Sequence, residues 1–348
     1  MAIDFPSSPT VGTQFAAPNG VAYVYDNNSS WTTLGDTQAT NPFVNAFKFR
    51  SIYTRGYVIG GYKDASPWRN ANRTQHATDV TTNLGDQLDQ NCAYVDASYS
   101  DYYLYVYATS PSWPGIGTYT SSFNMITESG RTHQSAWNTT QDLGNYGDSG
   151  VIINSNLTMA WILCTSNIVD KHNLVTEVMY SAGSGGSNIG TAGDWVCAWY
   201  GQTYGWVKHS SNGSRNHKIE FATETWSSAG LTVGTDGWGK ALKTKEGYAY
   251  VKNGGNIVSS AYKVNDTTGA NIRTDLNFNN SGEENYQTGQ NWGYCLGEYN
   301  GAQNNNTYKV THGTDVYTVL GSTSQPKGHD GVSSAGMASG SSAFLGGL

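Results

Sequence analysis

Two kinds of short segment alternate along this chain, and neither is long enough or rightly spaced for an amphipathic helix. The first kind is apolar almost throughout: Gly56-Tyr57-Val58-Ile59-Gly60-Gly61, Tyr103-Leu104-Tyr105-Val106-Tyr107, Ala160-Trp161-Ile162-Leu163-Cys164, Gly205-Trp206-Val207, Gly247-Tyr248-Ala249-Tyr250-Val251, Trp292-Gly293-Tyr294-Cys295-Leu296 and, at the C-terminus, Ser342-Ala343-Phe344-Leu345-Gly346-Gly347. Runs of this length without polar interruption predict strands buried on both faces. The second kind alternates and ends on Thr, Asn, Asp, Glu or Gly. It begins at Thr78, Phe123, Leu174, Ile219, Tyr262 and Tyr308, in steps of 45, 51, 45, 43 and 46 residues. Alternation predicts strands with one wet face, and the closing polar residues predict turns.

Interleaving the two patterns gives a unit of four strands in roughly the 40–50 residues of a propeller blade. The predicted fold is therefore all-β: a single β-propeller of four-stranded antiparallel blades. Seven apolar runs favour seven blades, with six as the alternative. Residues 21–31 resemble the outer pair that the last run lacks, so the N-terminal strands are expected to close the ring with residues 329–348 and remove an exposed edge. The corresponding domains are an N-terminal segment, 1–35, and the propeller, 36–348.

Composition agrees. The chain has 348 residues, of which 13% are charged, with 42 Gly, 24 Tyr and 11 Trp. Aromatics favour strands and glycine punctuates turns. The net charge of −7 and the absence of a Lys/Arg run beyond Lys240, Lys243 and Lys245 argue against nucleic acid as a partner. No secretory signal is read in Met-Ala-Ile-Asp-Phe-Pro, and no run of 18 apolar residues predicts membrane insertion. Cys92, Cys164, Cys197 and Cys295 lie far apart in apolar segments and read as buried free thiols.

Candidate chemistry is sparse. The neighbours Glu283-Glu284 are not two carboxylates held across a cleft, as glycoside hydrolysis needs. The histidines (His76, His133, His172, His209, His217, His312 and His329) form neither HxH nor HExxH, so no metal and no cofactor is expected. His76, His172, His217 and His312 fall in or near the alternating motif and read as one repeated structural position. Gly183-Ser184-Gly185-Gly186 lacks the Lys-Ser/Thr of a phosphate loop and reads as a turn. No catalytic residue is assigned. The candidate ligand-binding residues are aromatics in segments read as exposed loops: Trp68, Trp113, Trp199, Tyr200 and Tyr204. Exposed aromatics can stack on a sugar face or anchor a protein partner.

Two resemblances add to this reading. Tyr57-Val58-Ile59-Gly60-Gly61 followed by Asp79-Val80 resembles a Kelch repeat; the match covers most of 45–348, with the double glycine clear only in the first copy. Residues 4–31 (Asp4-Phe5-Pro6-Ser7-Ser8-Pro9-Thr10-Val11-Gly12, Ala17-Pro18-Asn19-Gly20, Tyr23-Val24-Tyr25-Asp26 and Trp31) resemble a short module of tailed-phage virion proteins, particularly from large phages of cyanobacteria. On that resemblance the segment would be a small anchoring hairpin beside six full blades. It implies a virion structural protein, made in the host cytoplasm, on a tail, baseplate or other appendage. Its partners would be other virion proteins. A glycan-binding host-recognition module is the alternative, and a glycan hydrolase follows it. A sialidase-type propeller is disfavoured, because seven arginines and the lone Thr235-Asp236-Gly237-Trp238 fall short of that family's arginine triad and repeated boxes.

Overall fold

The computed structural model describes residues 8–10, 13–16, 22–25 and 31–33, and between 55 and 322 the strands below with most of their turns. Residues 34–54, 110–117, 132–149, 182–195, 210–215, 253–259 and 323–348 and several shorter stretches fall outside the described residues. The chain divides into two units, Met1–Ile52 with Leu348, and Tyr53–Gly347. Among the described residues every regular element is a strand.

Among the described residues the first unit holds one antiparallel sheet of β1 (Gln14–Ala16), β2 (Ala22–Tyr25) and β3 (Trp31–Thr33), in that order. Its strands pair with one another, Gln14 opposite Val24 and Tyr25 opposite Trp31. The expected closure with residues 329–348 falls outside the described residues.

Among the described residues the second unit holds, in chain order, six sheets of three or four strands and one two-stranded ribbon. Sheet 1 contains β4 (Arg55–Ile59), then the small ribbon of β5 (Tyr62–Lys63) and β6 (Ser66–Pro67), then β7 (Asn70–Gln75) and β8 (Val80–Asp86), with order β4-β7-β8. Sheet 2 is β9 (Ala93–Tyr99), β10 (Tyr103–Thr109), β11 (Thr118–Asn124) and β12 (Ser129–Arg131). Sheet 3 is β13 (Gly150–Ile153), β14 (Met159–Leu163), β15 (Val169–Asn173) and β16 (Val178–Ser181). Sheet 4 is β17 (Val196–Tyr200), β18 (Tyr204–His209), β19 (His217–Glu220) and β20 (Thr225–Ser228). Sheet 5 is β21 (Ala241–Lys243), β22 (Tyr248–Lys252), β23 (Ser260–Asn265) and β24 (Asn271–Asn277). Sheet 6 is β25 (Glu283–Thr288), β26 (Trp292–Tyr299), β27 (Gln303–Thr311) and β28 (Val316–Ser322). Sheets 2 to 6 are four-stranded antiparallel meanders.

The apolar runs are the second strands of these meanders, and β4 takes that role in sheet 1. They are buried as their composition demands: Val58, Ile59, Leu104, Val106, Ile162, Val207 and Val251 are inaccessible to solvent. Next to the aromatic of the second strand, space for the preceding sheet is made by small residues. A Cβ on Gly205 would lie 2.3 Å from Ile152 Cγ2, and one on Gly293 would lie 2.0 Å from Leu242 Cδ2.

The alternating motif is not a single strand. It straddles the hairpin from third to fourth strand, and the polar residues that close it are the turn itself. Asn124, Asn173 and Asn265 each turn their Oδ1 onto backbone N–H groups two or three residues ahead, at 2.8–3.0 Å. This Asx arrangement offers the backbone a turn instead of further ladder. Beyond the turn, fourth strands carry their side chains outward. Val80, Val178, Tyr180, Ile272, Val316 and Val319 are all exposed.

Candidate functional site

The feature that recurs from sheet to sheet is a joint built around one turn residue. In the third-to-fourth turns, Asp79, Glu128, Glu177, Glu224 and Asp315 have φ between 53° and 59°, and Gly269 has φ 73°. Successive positions lie 49, 49, 47, 45 and 46 residues apart. This left-handed conformation suits glycine and costs a residue with a Cβ roughly 1–2 kcal/mol. Five acidic side chains held there at such a cost point to a role for the carboxylates.

That role is to receive the preceding sheet. Tyr57, on β4, donates to the Met125 carbonyl at 3.0 Å and to Glu128 Oε1 at 3.0 Å. Arg55 and Arg73 reach the same carboxylate at 2.7 and 2.8 Å. Tyr105, on β10, donates to the Leu174 carbonyl and to Glu177, which also takes an ion pair from Arg131. Lys171 pairs with Glu224 at 2.5 Å, while Trp161 stacks on Phe221 with centroids 5.3 Å apart. Tyr250 donates to Asp315 at 2.6 Å, joined by Lys263 and Arg273 at 2.9 and 3.3 Å. Finally Tyr294, on β26 of sheet 6, donates to the His76 carbonyl at 3.1 Å and to Asp79 at 2.6 Å, and Lys309 binds Asp79 at 2.8 Å. Sheet 6 is thereby bonded to sheet 1 by groups 215 to 230 residues apart in sequence.

The cations occupy one repeated place on the third strand, six residues before the turn residue: Arg73, Lys171, Lys218, Lys263 and Lys309. Sheet 2 has Ser122 there, and Arg131, directly opposite it in the ladder, supplies the guanidinium instead.

The electrostatics follow. Burial works against charge on Glu128, but the bonds from Arg73, Arg55 and Tyr57 outweigh it and hold the carboxyl below its usual range. Asp79 is lowered in the same way by Lys309 and Tyr294, and Asp315 by Tyr250 and Lys263, each against the effect of burial. The partner phenols of Tyr57, Tyr250 and Tyr294 move up, first from burial and then from the adjoining carboxylate. At Asp79, Glu128 and Asp315 the joints thus pair ionised acids with protonated phenols.

A second buried polar chain crosses from sheet 2 to sheet 3. Ser98 Oγ and the Tyr107 hydroxyl are 2.6 Å apart, and that hydroxyl is 2.6 Å from His172 Nδ1. Burial depresses His172 to about 3, so the ring is neutral. Separately, the hydroxyls of Tyr99 and Tyr200 meet at 2.5 Å, both buried, tying the first strand of sheet 2 to that of sheet 4.

The structure corrects the reading of Trp199, Tyr200 and Tyr204 as residues of an exposed loop. Trp199 and Tyr200 end strand β17 and are 0% and 1% exposed, and Tyr204 opens β18, half-buried against Trp206. Between them lies a turn of only three residues, Gly201–Thr203, in which Gln202 and Thr203 are exposed and Gly201 is buried against the Asp266 backbone. Trp68 and Trp113 lie outside the described residues. The histidine reading is corrected in part: His76 and His312 share the place three residues before the turn acid, whereas His172 and His217 stand at other places within their strands. Cys197 is a buried free thiol. Among the described residues no group of three or more His, Cys, Asp or Glu could hold a metal ion, and no helix is long and apolar enough to cross a membrane.

The turn acids were missed at the sequence level, although their signal was present. Asp79, Glu128, Glu177 and Glu224 all lie in the alternating segments that define the repeat.

Compared with known proteins, the chain matches no family model and no curated protein. Among solved structures it is similar to the crystal structure of a functionally unknown protein from Desulfotomaculum acetoxidans DSM 771, with a TM-score of 0.49 and 11% identity over 91% of this chain and 95% of that one.

Proposed function

We propose that the second unit is a Kelch-like β-propeller of six blades, and that the protein is a virion structural component of a tailed phage, placed on the tail, baseplate or another appendage. In this reading it works as a rigid docking scaffold for other virion proteins. One observation carries the architecture: the joint that links each sheet to the next also links sheet 6 to sheet 1, through Tyr294 and Lys309 on Asp79. A seventh blade would have to stand between those sheets, so these bonds support six blades over seven. The pairing of β1, β2 and β3 with one another supports residues 4–31 as an anchoring hairpin of the phage type, not as the outer strands of a closing blade.

The scaffold role is supported by how the chemistry is used. Each turn carboxylate is bound by a cation, and four of the five also by a phenol. A general acid must instead be free to exchange a proton near the working pH, which argues against a hydrolase built on these residues. What the joints provide is fixed geometry, on which connecting loops can present contacts to partners.

A glycan-binding host-recognition module is the second reading. It rests on the aromatics Trp68 and Trp113, which in sequence fall between β4 and β7 and between β10 and β11. A cryo-EM map of particles carrying the protein tests the main proposal: six four-stranded blades docked on a tail structure support it, and absence of the chain from purified particles overturns it. A glycan array separates the second reading; binding lost in Trp68→Ala or Trp113→Ala favours host recognition, and silence favours pure architecture.

A further inference from the structure

The joint between sheets 4 and 5 departs from the others at two positions at once. Its turn residue is Gly269, where the other five turns carry an acid. Its second-strand aromatic is Trp206, whose Nε1 donates to the Asp266 carbonyl at 2.7 Å. That carbonyl is the equivalent of those that Tyr57, Tyr105 and Tyr294 reach in their own joints. The larger indole fills the space a turn side chain would need. A Cβ on Gly269 would come within 2.7 Å of Trp206 Cζ3 and 2.8 Å of Leu231 Cδ2.

The cation of this joint is nonetheless retained. Lys218 Nζ stands 4.4 Å above the Tyr204 ring and 5.6 Å from the Trp206 ring, and makes no ion pair among the described residues. The acid at this joint, Asp266, is buried and accepts from the Thr267 hydroxyl at 3.2 Å. In place of an ion pair, a cluster of ten buried residues includes Trp199, Trp206, Leu231, Ala241, Val251 and Val264, drawn from both sheets.

We infer that Trp206 and Gly269 are a matched pair that replaces the ionic joint by an apolar one, making sheets 4 and 5 the pair that stays together when charge is screened. Trp161 shows that a tryptophan alone does not make the exchange. There Phe221 stacks under the indole and Glu224 keeps its lysine. Glycine in the turn is the second half of the change. The inference rests on the contacts between sheets and not on the biological role proposed above.

Two measurements test it. The first uses the unaltered protein, with amide hydrogen exchange followed by mass spectrometry at low salt and in about 1 M potassium chloride, where the screening length falls to about 3 Å. Peptides containing the acidic turns should exchange faster in salt, and the peptide spanning 265–270, where the Gly269 amide bonds the Asn265 carbonyl, should not. Equal salt response in all six turns overturns the inference. The second compares Trp206→Tyr, Gly269→Glu and the double variant by urea unfolding. Each single change should lower the midpoint. The double change should recover most of the loss and acquire the salt sensitivity of the other joints, because Lys218 then has its carboxylate. Strictly additive losses overturn the inference, and the exchange experiment decides it if the single variants do not fold.

Discussion

Replacing Glu128 separates two opposed contributions in one side chain. Its carboxylate takes Arg55 at 2.7 Å, Arg73 at 2.8 and 2.9 Å, and the Tyr57 hydroxyl at 3.0 Å, and is 18% exposed. Bonds to an ionised partner contribute about 1.5–3 kcal/mol when shielded and about 0.2–1 kcal/mol when exposed. Both arginines are about 30% exposed and can turn to water, so a total near 3 kcal/mol is appropriate. Against it stands the left-handed backbone at φ 55°, costing about 1 kcal/mol relative to glycine. Glu128→Ala should therefore lose about 3 kcal/mol, since it removes the bonds and keeps the strain. Glu128→Gly should lose about 2 kcal/mol, because it also relieves the backbone. Urea unfolding at neutral pH, with midpoint and slope fitted together, measures both. A glycine variant as stable as the wild type would show that the bonds do no more than offset the backbone strain of about 1 kcal/mol, and an alanine variant more stable than the glycine variant would refute the backbone argument.

Four further outcomes are expected. Stability should be full above about pH 6.5 and fall below it, because folding holds His172 neutral down to about 3 while the unfolded imidazole protonates. It should fall more steeply below about pH 4, where unfolded carboxyls protonate but Asp79, Glu128 and Asp315 remain ionised in the fold; His172→Gln should remove the fall that begins near pH 6.5 and runs to about 3, and leave the carboxylate part in a chemical-denaturation pH series. Asp79→Asn should raise hydrogen exchange in both β4–β8 and β25–β28, and faster exchange in one group alone would contradict a joint between sheets 6 and 1. Gly130→Ala should destabilise by several kcal/mol in thermal unfolding, since its Cβ would fall 1.5 Å from the Gln87 carbonyl oxygen, a backbone atom that cannot swing aside. Trp199→Ala should cost about 3–5 kcal/mol by calorimetry, the usual penalty for a cavity at a fully buried aromatic. Loss of ligand binding in that variant would then report a damaged core.

The sheets were legible because second strands must be apolar on both faces, and that leaves a run in the sequence no surface segment would carry. Tyr103–Tyr107 and Tyr248–Val251 were placed correctly on that ground alone. The turns were half legible. Thr127-Glu128 and Thr223-Glu224 read as turns, but propensity gives no hint that an acid there will accept a left-handed backbone. Only the arginines, lysines and phenols of the neighbouring sheet make that conformation worthwhile, and they lie about 50 to 230 residues away in sequence. The Trp199–Tyr204 segment failed for a related reason. Its glycine signalled a turn, but burial of the turn's flanks depends on Asp266 and Tyr99 in other sheets.

The hydroxyl contact between Tyr99 and Tyr200 gives the second unit a different mechanical character on one side. Sheets 2 and 3 are fastened to each other, sheets 3 and 4 are fastened to each other, and this bond fastens 2 directly to 4. Three bodies pinned pairwise form a truss, which cannot shear unless one member yields. Under load, shear among sheets 2 to 4 would have to break this bond as well as the two joints.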